Sequence, residues 1–166
     1  IMVNLAQPLV SPLDTRSRAL RKAIVRMMEF SRWGHLGSAF SIVEILRVLY
    51  DDVLRYDANN PKWDQRDRLI LSKGQGCMAL YVFLAEKGFI PESELWKFCQ
   101  SDGILGGHPE HKVPGVEFST GSLGHGLPFG VGKALAAKNI GAGWRTYVLM
   151  SDGEMQEGSN WEVFPS

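Results

Sequence analysis

Long apolar runs, an excess of one charge and a cysteine framework are all missing from this chain. No uninterrupted apolar stretch approaches the ~18 residues that a membrane-spanning helix requires. The N-terminus lacks the charged-then-apolar layout of a secretory leader. Eighteen Lys and Arg balance 18 Asp and Glu, so no basic field exists to draw nucleic acid or anionic lipid. Cys77 and Cys99 form no C-x-x-C and sit in apolar stretches. They are expected to be free, buried thiols of a cytoplasmic protein. No internal repeat or low-complexity segment is visible. What remains is ordinary for one globular domain: 166 residues, 45% hydrophobic and 22% charged, enough to bury a core.

Leu20, Ile24, Met27 and Met28 share one helical face with Arg and Lys opposite, which predicts a helix over residues 11–32. The glycines of Trp33-Gly34-His35-Leu36-Gly37-Ser38 break it. Ser41 and Glu44 then have capping-box spacing and predict a helix running to about Tyr50. A polar connection over 57–67 leads to a buried strand at 68–71, and Ser72–Gly76 turns into a helix over 77–86. Pro91-Glu92 opens a short helix. Residues 101–122 form a long glycine-bearing loop of the kind that is uncommon unless functional. A Gly-rich helix is expected over 123–139, and a second buried strand over 146–150, ending at Asp152-Gly153. Helices separating strands predict the α/β class with a parallel sheet flanked by helices. In such sheets ligands sit beyond the carboxyl ends of strands, so Ser72–Gly76 and Ser151–Glu154 are expected to face one crevice.

Several segments could carry chemistry, each with a plainer alternative. Asp152 at a strand's end can ligate a hard cation, and Gly153 lets backbone approach an anion; taken alone, Asp-Gly reads more readily as a turn. Gly121-Ser122-Leu123-Gly124-His125-Gly126 suits a ligand loop at a helix start or close helix packing, about equally. No strand precedes it, so it fails the Rossmann context. His108 and His111 have H-x-x-H spacing, yet nothing nearby completes a four-ligand zinc set. Lys73 is not a Walker lysine, because the G-x-x-x-x-G-K spacing is absent. Glu157 and Glu162 flank Trp161 at a helix start, where acidic residues are favoured without any further role.

Taken together and in order, these segments resemble transketolases over residues 14–162. The motifs are Gly34-His35-Leu36-Gly37-Ser38, Leu71-Ser72-Lys73-Gly74, Gly106-Gly107-His108-Pro109-Glu110, Gly115 to Gly124, and Ser151-Asp152-Gly153-Glu154-Met155-Gln156-Glu157-Gly158. Any one could arise by chance; their shared order is specific. The resemblance is to the N-terminal, thiamine-diphosphate-binding domain (diphosphate-binding type), and the short chain looks like the N-terminal subunit of a split transketolase. It implies a single domain over 1–166, with the pyrimidine-binding domain on a partner subunit and a homo- or hetero-oligomeric assembly. It also implies thiamine diphosphate with Mg²⁺ (or Ca²⁺) and two-carbon ketol transfer between sugars or sugar phosphates. By the same resemblance Asp152 would ligate the metal, Gly153 would face the diphosphate and Glu154 would bind the cofactor. Gly121, Ser122 and Leu123 would touch the aminopyrimidine, and His35 and His108 would contact cofactor and donor hydroxyls. Glu157 and Glu162 would join the acidic network between paired sites.

Departures from the family pattern also shape the expectation. Ser151 replaces a glycine, and His35-Leu36-Gly37 replaces His-Pro-Gly, both mild changes. Gln75 stands where the family carries a histidine; it can hydrogen-bond but cannot trade protons. Fourteen residues follow Asp152, too few to reach the family's second metal ligand. The domain is therefore expected to be incomplete at its C-terminal side and silent without a partner. Related thiamine-diphosphate enzymes, such as a deoxyxylulose phosphate synthase or a ketoacid dehydrogenase component, are rivals, as is a non-catalytic assembly subunit.

Overall fold

Asp14 begins the order: its side chain accepts from Ser17 N at 2.7 Å and caps helix α1, Thr15–Ser31. The structure, a computed structural model, describes residues 13–164. The first residues of the helix expected over 11–32 lie outside that range, and residue 13 precedes the cap. Leu20, Ile24 and Met27 are buried as the periodicity predicts. At the start of the same face, one turn before Leu20, Arg16 reaches Asp51 and Glu86.

The loop expected after α1 is shorter than its two glycines suggest. Leu36–Phe40 form helix α2, and α3 follows at Val43–Val48, loosening into a π turn at Leu49–Val53. The capping box at Ser41 and Glu44 does not form, because stronger partners lie elsewhere in the fold. Ser41 Oγ donates to Ser38 O at 2.9 Å, and Glu44 takes a two-pronged bond from Arg21.

Strands β1 (Arg68–Leu71) and β2 (Thr146–Leu149) pair in parallel, Arg68 opposite Thr146 through Leu71 opposite Leu149. The α/β class with a parallel sheet and flanking helices is thus observed. Strand β1 is buried throughout, but β2 is only half-buried, against expectation. Among the described residues β2 has one paired neighbour and the helix at Gly126–Asn139 on a face, so much of it stays accessible. Trp144 Nε1, just before it, and Thr146 Oγ1, at its first residue, are buried without a partner among the described residues.

Helix α4, Cys77–Glu86, is the centre of the core: every residue from Cys77 to Leu84 is buried, giving no polar face. Burial pushes the Cys77 thiol up to about 12. Cys99, expected to be buried, is exposed, at a left-handed bend with φ 57°. A short 3-10 helix at Glu92–Lys97 follows Pro91 as anticipated, and no helix or strand interrupts the chain from there to α5, Gly126–Asn139. The latter starts three residues late because Gly124 sits at φ +81°, which a helix cannot continue through. After β2 come a 3-10 turn at Gly153–Gln156 and α6 at Gly158–Glu162. No helix among the described residues is long and apolar enough to cross a membrane.

The approach of α5 to the sheet depends on glycine. A Cβ at Gly126 would lie 2.2 Å from Ser72 Oγ and 2.8 Å from Ser72 Cα, and one at Gly130 would lie 2.5 Å from Val148 Cγ2. Helix propensity favours alanine over glycine by ~1 kcal/mol, but overpacking against backbone costs about 1–3 kcal/mol. Gly126→Ala is therefore expected to lower the midpoint of urea unfolding. An unchanged or raised midpoint would refute the close contact.

Candidate functional site

The crevice is assembled on the carboxyl end of β1. Leu71 O accepts from Thr120 Oγ1 at 2.7 Å, tying in the long loop. Ser72 N continues the ladder to Leu149 O, and Ser72 Oγ donates to Glu154 Oε1 at 2.5 Å. The Lys73 ammonium, buried, donates to Ser38 O at 3.1 Å and Ser41 Oγ at 2.8 Å. Burial lowers its pKa, while nearby Asp152 and Glu154 pull it up. Gly74 has no room for a side chain against Thr120 and Gly121 backbone, and Gln75 Nε2 donates to Gly121 O at 3.2 Å. One short turn thereby fixes three distant segments.

Helix α4 organises the glycine-rich loop. Tyr81 OH lies 2.7 Å from His108 O and 3.0 Å from Gly106 O, and Cys77 Sγ lies 3.1 Å from Gly107 O. Gly107 packs against the Trp33 ring. This carries His108 to His35, with ring centroids 6.2 Å apart; Trp33 touches both edge-on, at 5.9 and 5.3 Å. His108 also lies against Gly121. The burial of His108, followed by the adjacent His35, lowers its pKa below the usual histidine range.

On the β2 side, Asp152 and Gly153 are exposed, and a Cβ at Gly153 would meet open space. Among the described residues nothing accepts from the amides of Gly121, Ser122 or Leu123, which leaves those donors free for a ligand. Glu154 differs from the cofactor contact expected of it. It is fully buried, and its carboxylate takes Ser72 Oγ, Gly124 N and Ser151 N, leaving no face on the crevice. Glu157 and Glu162 are exposed and form no ion pair among the described residues. His111 bonds Ser119 and His125 bonds Leu123 O; both are exposed.

Among the described residues no group of three His, Cys, Asp or Glu could hold a metal. Asp152 thus offers one hard oxygen donor, and any octahedral ion there needs the rest of its shell from other groups. A concavity of about 460 Å³ lies apart, lined in part by Lys62, Arg66, Lys112 and Glu117. Its cations are partly spent on neighbours, Arg66 on Glu117 and Lys112 on Glu110.

Sequence reasoning missed the residues that bring this together. Ser72, Lys73, Tyr81 and Thr120 act through side-chain bonds to backbone, hydroxyl or carboxylate groups across the chain; Ser72, Lys73 and Thr120 stood inside the quoted motifs with no role assigned, and Tyr81 gave no signal. Trp33 was visible only as a neighbour of the Gly34-His35 break.

The profile of the family described as "Transketolase, thiamine diphosphate binding domain" matches residues 15–165. The chain belongs to the transketolase family. It is 49% identical over 153 residues to one of the subunits of the apulose-4-phosphate transketolase of Actinobacillus succinogenes, covering 91% of this chain and 55% of that protein. The corresponding subunit from Phocaeicola vulgatus is 44% identical over 154 residues, covering 93% and 55%. The fold superimposes on the transketolase of Leishmania mexicana with a TM-score of 0.86 at 29% identity, over 92% of this chain and 25% of that one. The transketolase-family chain thus spans about half the length of the curated relatives it matches.

The histidine pair yields a titration test. Because the folded pKa of His108 is lowered, the folded state takes up fewer protons than the unfolded one, and stability drops as pH falls below about 6.5. NMR titration is expected to place His108 below free histidine, and His35→Ala to bring it part of the way back. A His108 midpoint at or above that of free imidazole would sink this account.

Proposed function

We propose that this chain is the diphosphate-binding component of a thiamine-diphosphate-dependent transketolase that moves a two-carbon ketol unit between sugars. It acts with a pyrimidine-binding partner subunit, as one domain contributing half of each site. The observation that carries the reading is the meeting of the His35–His108 pair, the free Gly121–Leu123 amides and the exposed Asp152-Gly153 turn around one strand end. Free Cys77 and Cys99 support a cytoplasmic setting.

Asp152 would hold Mg²⁺ through a carboxylate oxygen, and Gly153 would let backbone approach the diphosphate. When bound, the cofactor supplies the electron sink for carbon–carbon cleavage beside the ketose carbonyl. The chain's own residues position and protonate. His35 and His108 would orient donor hydroxyls and exchange protons, a task suited to imidazoles near neutrality. The lowered pKa of His108 favours its neutral form, able to accept a proton at pH 7. Gln75 holds the Gly121 carbonyl and leaves proton transfer to the histidines. Exposed Glu157 and Glu162 would meet the neighbouring subunit. The relatives named for apulose 4-phosphate make a phosphorylated ketose the first substrate to try.

The test is co-expression with a pyrimidine-binding subunit, followed by a two-carbon transfer assay using phosphorylated ketose donors and aldehyde acceptors. Mg²⁺-dependent transfer is expected, and Asp152→Ala should reduce it beyond the ~10–100-fold typical of losing an outer-shell metal partner. Saturable thiamine diphosphate binding with no transfer from any donor would instead favour a non-catalytic assembly subunit. Decarboxylation of a 2-ketoacid would assign the site to a different thiamine diphosphate chemistry.

A further inference from the structure

Glu154 is a carboxylate with no exposed surface and no cation in contact with it among the described residues. A group of this kind is costly to bury and persists only where its oxygens are fully used. Here each oxygen has donors from a different part of the chain. Oε1 takes Ser72 Oγ from the end of β1 at 2.5 Å and Gly124 N from the loop before α5 at 2.9 Å. Oε2 lies 3.4 Å from Ser151 N at the end of β2. The backbone of the same residue is clamped as well: its N–H donates to Ser151 Oγ at 3.3 Å, and its carbonyl accepts from Asn160 Nδ2 of α6 at 2.6 Å. Asn160 is itself fully buried.

The joined segments are those that flank the crevice. Gly124 immediately follows the free amides of Gly121–Leu123, and Ser151 and Glu154 bracket Asp152-Gly153. A second bond reinforces the seam, from Ser159 Oγ of α6 to Gly124 O at 2.6 Å. From this geometry we infer that Glu154 is a positioning residue, which sets the distance between the Gly121–Leu123 backbone and the Asp152-Gly153 turn and so the span available to a diphosphate-linked cofactor. The inference rests on the proposed function for its ligand, and on the bonds above for the positioning itself. Glu154 does not touch the cofactor; it acts through the two backbone segments that do.

The charge is not what the geometry needs. A glutamine keeps one oxygen for Ser72 and Gly124 and turns its amide toward Ser151 N, giving up only the longest of the three bonds. An alanine leaves Ser72 Oγ and Gly124 N without an acceptor in a buried place, which is the costly case.

The experiment uses the full chain assembled with its partner subunit, in Glu154→Gln, Glu154→Ala and Ser72→Ala forms. Amide hydrogen exchange comes first, because it needs no ligand. In Glu154→Ala, the bonded amides of the two segments, Gly124 and Ser151, are expected to exchange at least ~10-fold faster, with those of α4 unchanged. Glu154→Gln should retain protection at Gly124, and Ser72→Ala should loosen the same two segments to a smaller degree. Titration with thiamine diphosphate and Mg²⁺ comes second, with affinity expected to weaken about 10-fold in the alanine form and about 3-fold or less in the glutamine form. Where transfer is measurable, the loss should fall on cofactor affinity while kcat at saturating cofactor changes less.

Equal loss of protection in α4 would make Glu154 a general packing residue, and unchanged exchange at Gly124 would remove the bridge; either overturns the inference. If Glu154→Ala does not fold, the glutamine and Ser72 forms give the same two readouts and decide it. A wild-type complex that binds no thiamine diphosphate defeats the functional reading alone, and the exchange pattern still decides the positioning role.

Discussion

The bond between Ser72 Oγ and the buried Glu154 carboxylate joins the two halves of the crevice, and the rest of the site depends on where it is made. Ser72 is the first residue past β1, and Glu154 lies in the turn past β2. In a parallel pair the two strand ends emerge side by side, with Ser72 N still bonded to Leu149 O. The side-chain bond extends that register beyond the sheet. From there the order spreads through neighbours in sequence: Leu71 holds Thr120, Lys73 holds Ser38 and Ser41, and Gln75 holds Gly121. Because each bond lies in or near the core, losing one exposes a buried group to the full cost of an unmade hydrogen bond, about 1–3 kcal/mol.

These bonds need a rigid support, which α4 provides. It follows directly from the Gly74–Gly76 turn and is buried from Cys77 to Leu84, packed against α1, α2 and α3. A helix without a solvent face cannot rotate or slide without losing apolar contacts all round. Its one long polar side chain in that span, Tyr81, is used to hold the carbonyls of Gly106 and His108. The glycine-rich loop, which has no helix or strand of its own, thus takes its shape from a helix lying beneath it. That is how two histidines more than seventy positions apart come to share a tryptophan.

The elements with strong local signals matched the sequence. The leucine–isoleucine face of α1, the apolar run of β1 and the span of α4 all rest on contacts within one element or on its burial. Failures came where a local signal competed with a distant partner. Ser41 and Glu44 had the spacing for a capping box, but Lys73 and Arg21 claimed their side chains. Gly124 read as helix and sits in a left-handed bend, because its amide is drawn to Glu154. Cys99 sat in an apolar stretch yet faces solvent, at a bend whose N–H bonds Leu105 O. Glu154, part of a motif, was read as a ligand of the cofactor, since nothing local distinguishes a carboxylate that faces a crevice from one that lies under it.

By itself the sequence determined the α/β class, the order of the elements and, through five ordered motifs, the family. These follow from periodicity, glycine placement and residue order, all properties of neighbours along the chain. Only the tertiary structure decided that His35 and His108 meet over Trp33, that Lys73 and Glu154 are buried, and that Asp152 stays exposed between Ser151 and the buried Glu154. Those outcomes turn on which polar groups lose water and which partner then satisfies them. The partners are up to 82 positions apart, and the energy of an unpaired buried group selects among them only once the core has closed.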